Sequence, residues 1–133
     1  MANQSILFVC LHGSAKSVIA AEHLRRMAGA RGVSIDVTAA GTEPDAAIPP
    51  HVVAGLARDG IDVGGQRPHG VTRDDVRRAS QIVTFGCDVS RLAPANPRIH
   101  AWDDVPAVSE NFDKARDVIV ARLSRLLDEC AKA

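Results

Sequence analysis

Ile6-Leu7-Phe8-Val9-Cys10 is an unbroken apolar run near the start of the chain, with no polar position to mark an outer face. Such a run predicts a strand buried on both sides. The stretch Leu11 to Lys16 follows, and then Val18, Ile19, Ala21, Leu24 and Met27 recur at helical spacing up to Gly29 and Gly32. Val33 to Ala39 alternates and meets Gly41, a second strand. Pro49-Pro50 opens a short helix carrying Val52, Val53 and Leu56 that stops at Gly60. Thr72-Arg73-Asp74-Asp75 reads as a helix start with an acidic first turn; Arg73, Arg77 and Arg78 beside those acids form a solvated face. Gln81 to Phe85 is another buried strand and Arg98 to Trp102 a shorter one. From Ser109 onward Phe112, Ala115, Ile119, Leu123, Leu126, Leu127 and Cys130 make one amphipathic stripe.

Strands alternating with helices predict an α/β fold with a parallel sheet and right-handed crossovers. The chain has 133 residues, which fits a single domain over 1–133, with no internal repeat and no linker. In such sheets ligands bind beyond the carboxyl ends of the strands. The loops after Val9 and Phe85 and the segment after Trp102 should therefore converge.

Composition narrows the function. Apolar residues make up 46% and charged residues 24%, so disorder and low complexity are excluded. Acidic and basic residues balance at 16 each, which argues against general nucleic-acid or membrane-surface binding and leaves anion recognition to a local site. Aromatic content is 3% with no Tyr, too little for a base-stacking platform. Cys10, Cys87 and Cys130 form neither a disulfide scaffold nor a C-x-x-C motif, and His23, His51, His69 and His100 have no mutual metal spacing. No metal site is expected. The apolar run at the N-terminus is too short to span a bilayer, and free thiols suit a reducing compartment, so the expected location is cytoplasmic.

Chemistry concentrates in Val9-Cys10-Leu11-His12-Gly13-Ser14-Ala15-Lys16-Ser17, strand first and helix after. Backbone N–H groups at a helix N-terminus point toward an anion, and the same field favours a thiolate over a thiol. Cys10 is the candidate nucleophile, and Leu11, His12, Gly13, Ser14, Ala15, Lys16 and Ser17 form the candidate anion-binding loop. Lys16 adds a cation, Ser17 a hydroxyl able to donate to the thiolate, and Gly13 the freedom to take positive φ. An ordinary strand-to-helix turn around a buried cysteine accounts for the stretch about equally well. A nucleotide-binding Walker loop does not, because Ala15 stands where its second glycine must be.

Cys10 to Ser17 resembles the C-x5-R-[ST] loop of the low-molecular-weight protein tyrosine phosphatase superfamily, which includes thioredoxin- and thiol-coupled arsenate reductases. The resemblance continues through Ala40-Gly41-Thr42-Glu43-Pro44, Pro50-His51-Val52-Val53, Gly60-Ile61-Asp62, Gln66-Arg67-Pro68, Val83-Thr84-Phe85-Gly86-Cys87-Asp88 and Trp102-Asp103-Asp104-Val105-Pro106. It implies a three-layer fold with a four-stranded parallel sheet flanked by helices. Glu43-Pro44 and the cysteine after the third strand resemble the arsenate reductase branch; the D-P-Y acid loop of the phosphatase branch is absent. Lys16 stands where the family has arginine, in a chain with 13 Arg and 3 Lys, so a point charge replaces a bidentate fork. Gly13 stands for the family's loop asparagine. His12 is unusual there, either a pH-dependent cation beside the anion or an exposed residue without a role.

The resemblance also implies roles. Cys10 attacks phosphorus or arsenic as thiolate, while loop amides, Lys16 and Ser17 hold the oxyanion. Asp104 serves as general acid and base, with Asp103 as a rival cap or hinge. In the reductase branch a second thiol releases arsenite and leaves a disulfide. Cys87 is the candidate for that thiol, with a small buried hydrophobe as the plainer alternative; Gly86 before it and Pro94, Ala95 and Asn96 after it would let it move. The family's second resolving cysteine is missing, since Ser90, Arg91 and Leu92 occupy that stretch. No bound cofactor is implied; thioredoxin, glutaredoxin or a low-molecular-weight thiol would be the reductant. Cys130 falls on the core stripe. Three readings follow: an arsenate reductase-type enzyme, a phosphatase acting on aryl phosphates or phosphotyrosine, and a phosphate-binding pseudoenzyme permitted by Lys16.

Overall fold

The computed structural model describes residues 4–92 and 98–132; the expected mobility at Pro94, Ala95 and Asn96 lies outside them. Four strands, β1 (Gln4–Cys10), β2 (Ile35–Gly41), β3 (Gln81–Phe85) and β4 (Ile99–Ala101), form one sheet in the order β2-β1-β3-β4. Every pairing is parallel. The helices are α1 (Lys16–Ala30), α2 (Pro50–Arg58), α3 (Arg73–Arg78) and α4 (Phe112–Lys132).

Alternation along β1 divides the core. Ile6, Phe8 and Cys10 belong to a large cluster with Ile19 and Leu24 of α1, Val52 and Leu56 of α2, and Ile119, Leu123 and Leu127 of α4. Leu7 and Val9 belong to a smaller cluster with Val76 of α3, Ile82 and Val89. Both faces of the central strand are thus covered, which is why it reads as a continuous apolar run. Each fully buried Leu or Ile side chain contributes roughly 1.5–3 kcal/mol. Thr72 caps α3 through a capping box with Asp75, in keeping with the acidic first turn.

The second strand starts and ends two residues later than its alternation predicts. The Val33 amide donates to the Ala28 carbonyl at 2.9 Å, which ties Val33 to the end of α1. Pairing of Gln4 with Ile35 then carries the ladder forward to Cys10 opposite Gly41.

A polar cluster joins α1, the end of α2 and α4. His23 is 3.1 Å from one Asp59 oxygen and Arg116 is 2.6 Å from the other, while Arg26 donates to the Asp59 carbonyl. Burial pushes the His23 imidazole below its ordinary 6.5, against the opposing pull of Asp59. The unfolded chain therefore takes up this proton more readily than the folded one. The neutral-His23 contribution is complete above the ordinary histidine range and is lost as pH falls through and below it. The urea midpoint should drop between pH 7.5 and pH 5.5, and His23→Gln, which keeps a donor for Asp59, should reduce that slope.

Candidate active site

The carboxyl ends of β1, β2 and β3 lie side by side, with Cys10 opposite Gly41 on one flank and Phe85 on the other. Cys10 is buried, and its thiol donates to the Ser17 hydroxyl at 3.1 Å. In the thiolate the direction reverses and the hydroxyl becomes the donor. Ser17 lies in the first turn of α1, whose N-terminus has no side-chain cap and no acidic residue. Its leading amides are therefore the orphan donors of a helix start, placed beside the sulfur.

The loop between Cys10 and α1 is fastened to the segment after β2. The amides of Thr42, Glu43 and Asp45 donate to the carbonyls of Cys10, Leu11 and His12 at 3.3, 2.7 and 3.0 Å. Gly13 has φ +62, and a Cβ there would lie 2.6 Å from the Gly41 amide nitrogen. Glycine is required at this point both by conformation and by backbone contact. The Ser14 hydroxyl donates to Asp45 at 2.7 Å, and His12 Nδ1 is 3.5 Å from the other Asp45 oxygen.

A cleft of about 320 Å³ opens over Cys10, walled by Leu11, His12, Lys16, Asp45, His51 and Phe85. The β4–α4 segment adds Ala107, Val108 and Ser109. Asp45 is the one carboxyl among these walls; the sequence pattern marks neither it nor His51 as a site residue. The signal was available, since a parallel β1–β2 pair ending at Cys10 and Gly41 must bring the next residues of both strands together.

Lys16 lines the cleft, but its ammonium donates to the Val105 carbonyl at 3.0 Å, linking the loop to the β4–α4 segment. Asp104 is not brought to the cleft. Arg122 donates to both of its oxygens at 2.8 Å, and that pairing holds its carboxyl below the usual range. The same guanidinium lies 5.8 Å from the centre of the Trp102 ring. Asp103 instead accepts from the Gly86 amide at 3.0 Å. Cys87 follows Gly86, which has φ +76, and its thiol donates to the Val9 carbonyl at 3.3 Å, one residue from Cys10. Burial first, and the nearby Cys10 and acidic charges after it, push the Cys87 thiol up. Cys130 is buried among core residues and accepts from Gln81 at 3.6 Å.

A cysteine thus ends a central parallel strand, and a tight loop leads from it to an uncapped helix N-terminus. The chain belongs to the low molecular weight phosphotyrosine protein phosphatase family, whose description matches residues 5–133. A Halobacterium salinarum protein provisionally named as an arsenate reductase is 25% identical over 127 residues, covering 92% of this chain and 89% of the relative. Among solved structures, the thioredoxin-dependent arsenate reductase of Corynebacterium glutamicum superposes with TM-score 0.82 at 26% identity. It matches 97% of this chain, which spans 62% of that longer one. The low molecular weight protein tyrosine phosphatase from T. tengcongensis has TM-score 0.85 at 18% identity, covering 96% of this chain and 99% of its own, a likeness of fold.

Proposed function

We propose that this protein reduces arsenate, with Cys10 as nucleophile and Cys87 as the thiol that releases the product. The observation that carries the reading is the Cys87 thiol on the Val9 carbonyl, adjacent to Cys10. The Cys10 thiolate forms an S–As bond while an arsenic-bound oxygen leaves as water. Cys87 thiolate then attacks the Cys10 sulfur; the disulfide forms, the S–As bond breaks, and arsenic leaves as arsenite with the electron pair. Each sulfur gives up one electron and arsenic(V) becomes arsenic(III). Thioredoxin, glutaredoxin or a low-molecular-weight thiol returns the two cysteines to the reduced state, and the reducing cytoplasm is the fitting compartment for three free thiols.

Support also comes from where the carboxyls lie. Ester hydrolysis needs an acid for a poor alkoxide or phenoxide leaving group; Asp104 is paired with Arg122, Ala107, Val108 and Ser109 supply no carboxyl, and Asp45, the one carboxyl on the cleft, already accepts from Ser14. Arsenate exchanges its oxygens readily and asks less of an acid. The Lys16–Val105 bond favours one other reading, a phosphate-binding protein with little turnover.

The test is arsenite formation from arsenate with thioredoxin and its reductase. Wild type should turn over, and Cys87→Ser should fall at least a hundredfold, about 2.7 kcal/mol of barrier. An unchanged Cys87→Ser would make an external thiol the resolving group. A wild type that binds arsenate yet forms no arsenite would leave the phosphate-binding reading standing.

A further inference from the structure

The leaving oxygen in the first step needs a proton, and the position of Asp104 leaves that task without an obvious donor. Resting on the reading above, we propose that His12, oriented by Asp45, delivers this proton. The Nδ1 side of the ring is anchored twice, 3.3 Å from the Glu43 carbonyl and 3.5 Å from Asp45 Oδ1. Asp45 is itself held by the Ser14 hydroxyl at 2.7 Å and by its own amide on the His12 carbonyl at 3.0 Å. With Nδ1–H directed at these oxygens, Nε2 is the free nitrogen, and no described residue bonds to it. A carboxylate fixing one imidazole nitrogen so that the other handles a proton is a recurring catalytic arrangement.

The balance is simple. Cys10 thiolate, hydrogen arsenate and one proton give the Cys10–arsenate adduct and water. The S–As bond forms, the As–O bond breaks, and the proton comes from His12 Nε2–H, which solvent then restores. The other titratable groups on the cleft are Cys10, Lys16 and His51; Lys16 is occupied by the Val105 carbonyl, and His51 makes no hydrogen bond that would orient it among the described residues.

His12→Asn places an amide nitrogen near the Nδ1 position, keeps a donor for Glu43, and deletes Nε2. Its kcat for arsenite formation should fall at least thirtyfold while arsenate binding, measured by titration, changes less than threefold. In His12→Ala, added imidazole should restore at least tenfold of the lost rate. An active wild type with an equally active His12→Asn overturns this proposal alone. So does a variant that loses binding along with rate and is not rescued, since that is a structural role. A wild type that forms no arsenite overturns the arsenate reading and this inference with it.

Discussion

Cys10→Ser is expected to lower arsenite formation more than a thousandfold while leaving the fold and the oxyanion site in place. A serine hydroxyl is scarcely ionised at neutral pH, and its side-chain partner, the Ser17 hydroxyl 3.1 Å from the sulfur, is too weak a base to take its proton. A thousandfold loss corresponds to about 4 kcal/mol of barrier. The oxygen is smaller than sulfur and retains a partner in Ser17, so the thermal midpoint should move by only a few degrees. Binding of phosphate or arsenate, followed by calorimetry, should persist because it depends on loop amides and the start of α1. Residual turnover near the wild-type level would place the nucleophile elsewhere.

Gly41→Ala carries the largest expected effect on stability. A Cβ there would lie 2.4 Å from the Gly13 amide nitrogen and 2.7 Å from the His12 carbonyl carbon. Both obstacles are backbone, so no side-chain rotation relieves them. The loop must move away from β2, giving up hydrogen bonds that run from Thr42, Glu43 and Asp45 to Cys10, Leu11 and His12. Overpacking of this kind costs about 1–3 kcal/mol, visible as a lower denaturant midpoint. Activity should suffer more, because misplacing reacting groups by about 1 Å costs roughly a hundredfold. A variant with the wild-type midpoint and rate would show that the loop is not fastened to β2.

Where burial and periodicity carry the information, the chain was readable. The apolar run of β1, the Gln81–Phe85 strand and the stripe of α4 stand at their expected places, because each is set by neighbours close in sequence. The β2 register was not readable from alternation, since it depends on Val33 being held by Ala28. The site divides in the same way. Cys10 and Ser17 are linked by a short loop and one helical turn, and they meet. Asp104 is turned by Arg122, eighteen residues further on in α4, and no local pattern announces such a pairing. Asp45 looks like an ordinary loop residue until the parallel ladder is extended past Gly41.

The claim that two thiols of this chain share one reaction is tested most directly by a single turnover without external reductant. Reduced protein is mixed with arsenate, quenched by alkylation, and analysed by peptide mapping alongside an arsenite assay. Bridging needs the two Cα atoms within about 7 Å; Cys10 belongs to the cluster of Ile6 and Phe8 and Cys87 packs with Leu7 and Val9 on the other face of β1, so the bond requires Cys87 to turn toward Cys10 about Gly86. The account predicts one arsenite per chain, a Cys10–Cys87 disulfide, and Cys130 alkylated as a free thiol. Arsenite released while Cys87 remains alkylated, or a disulfide that joins Cys130 instead, would contradict it.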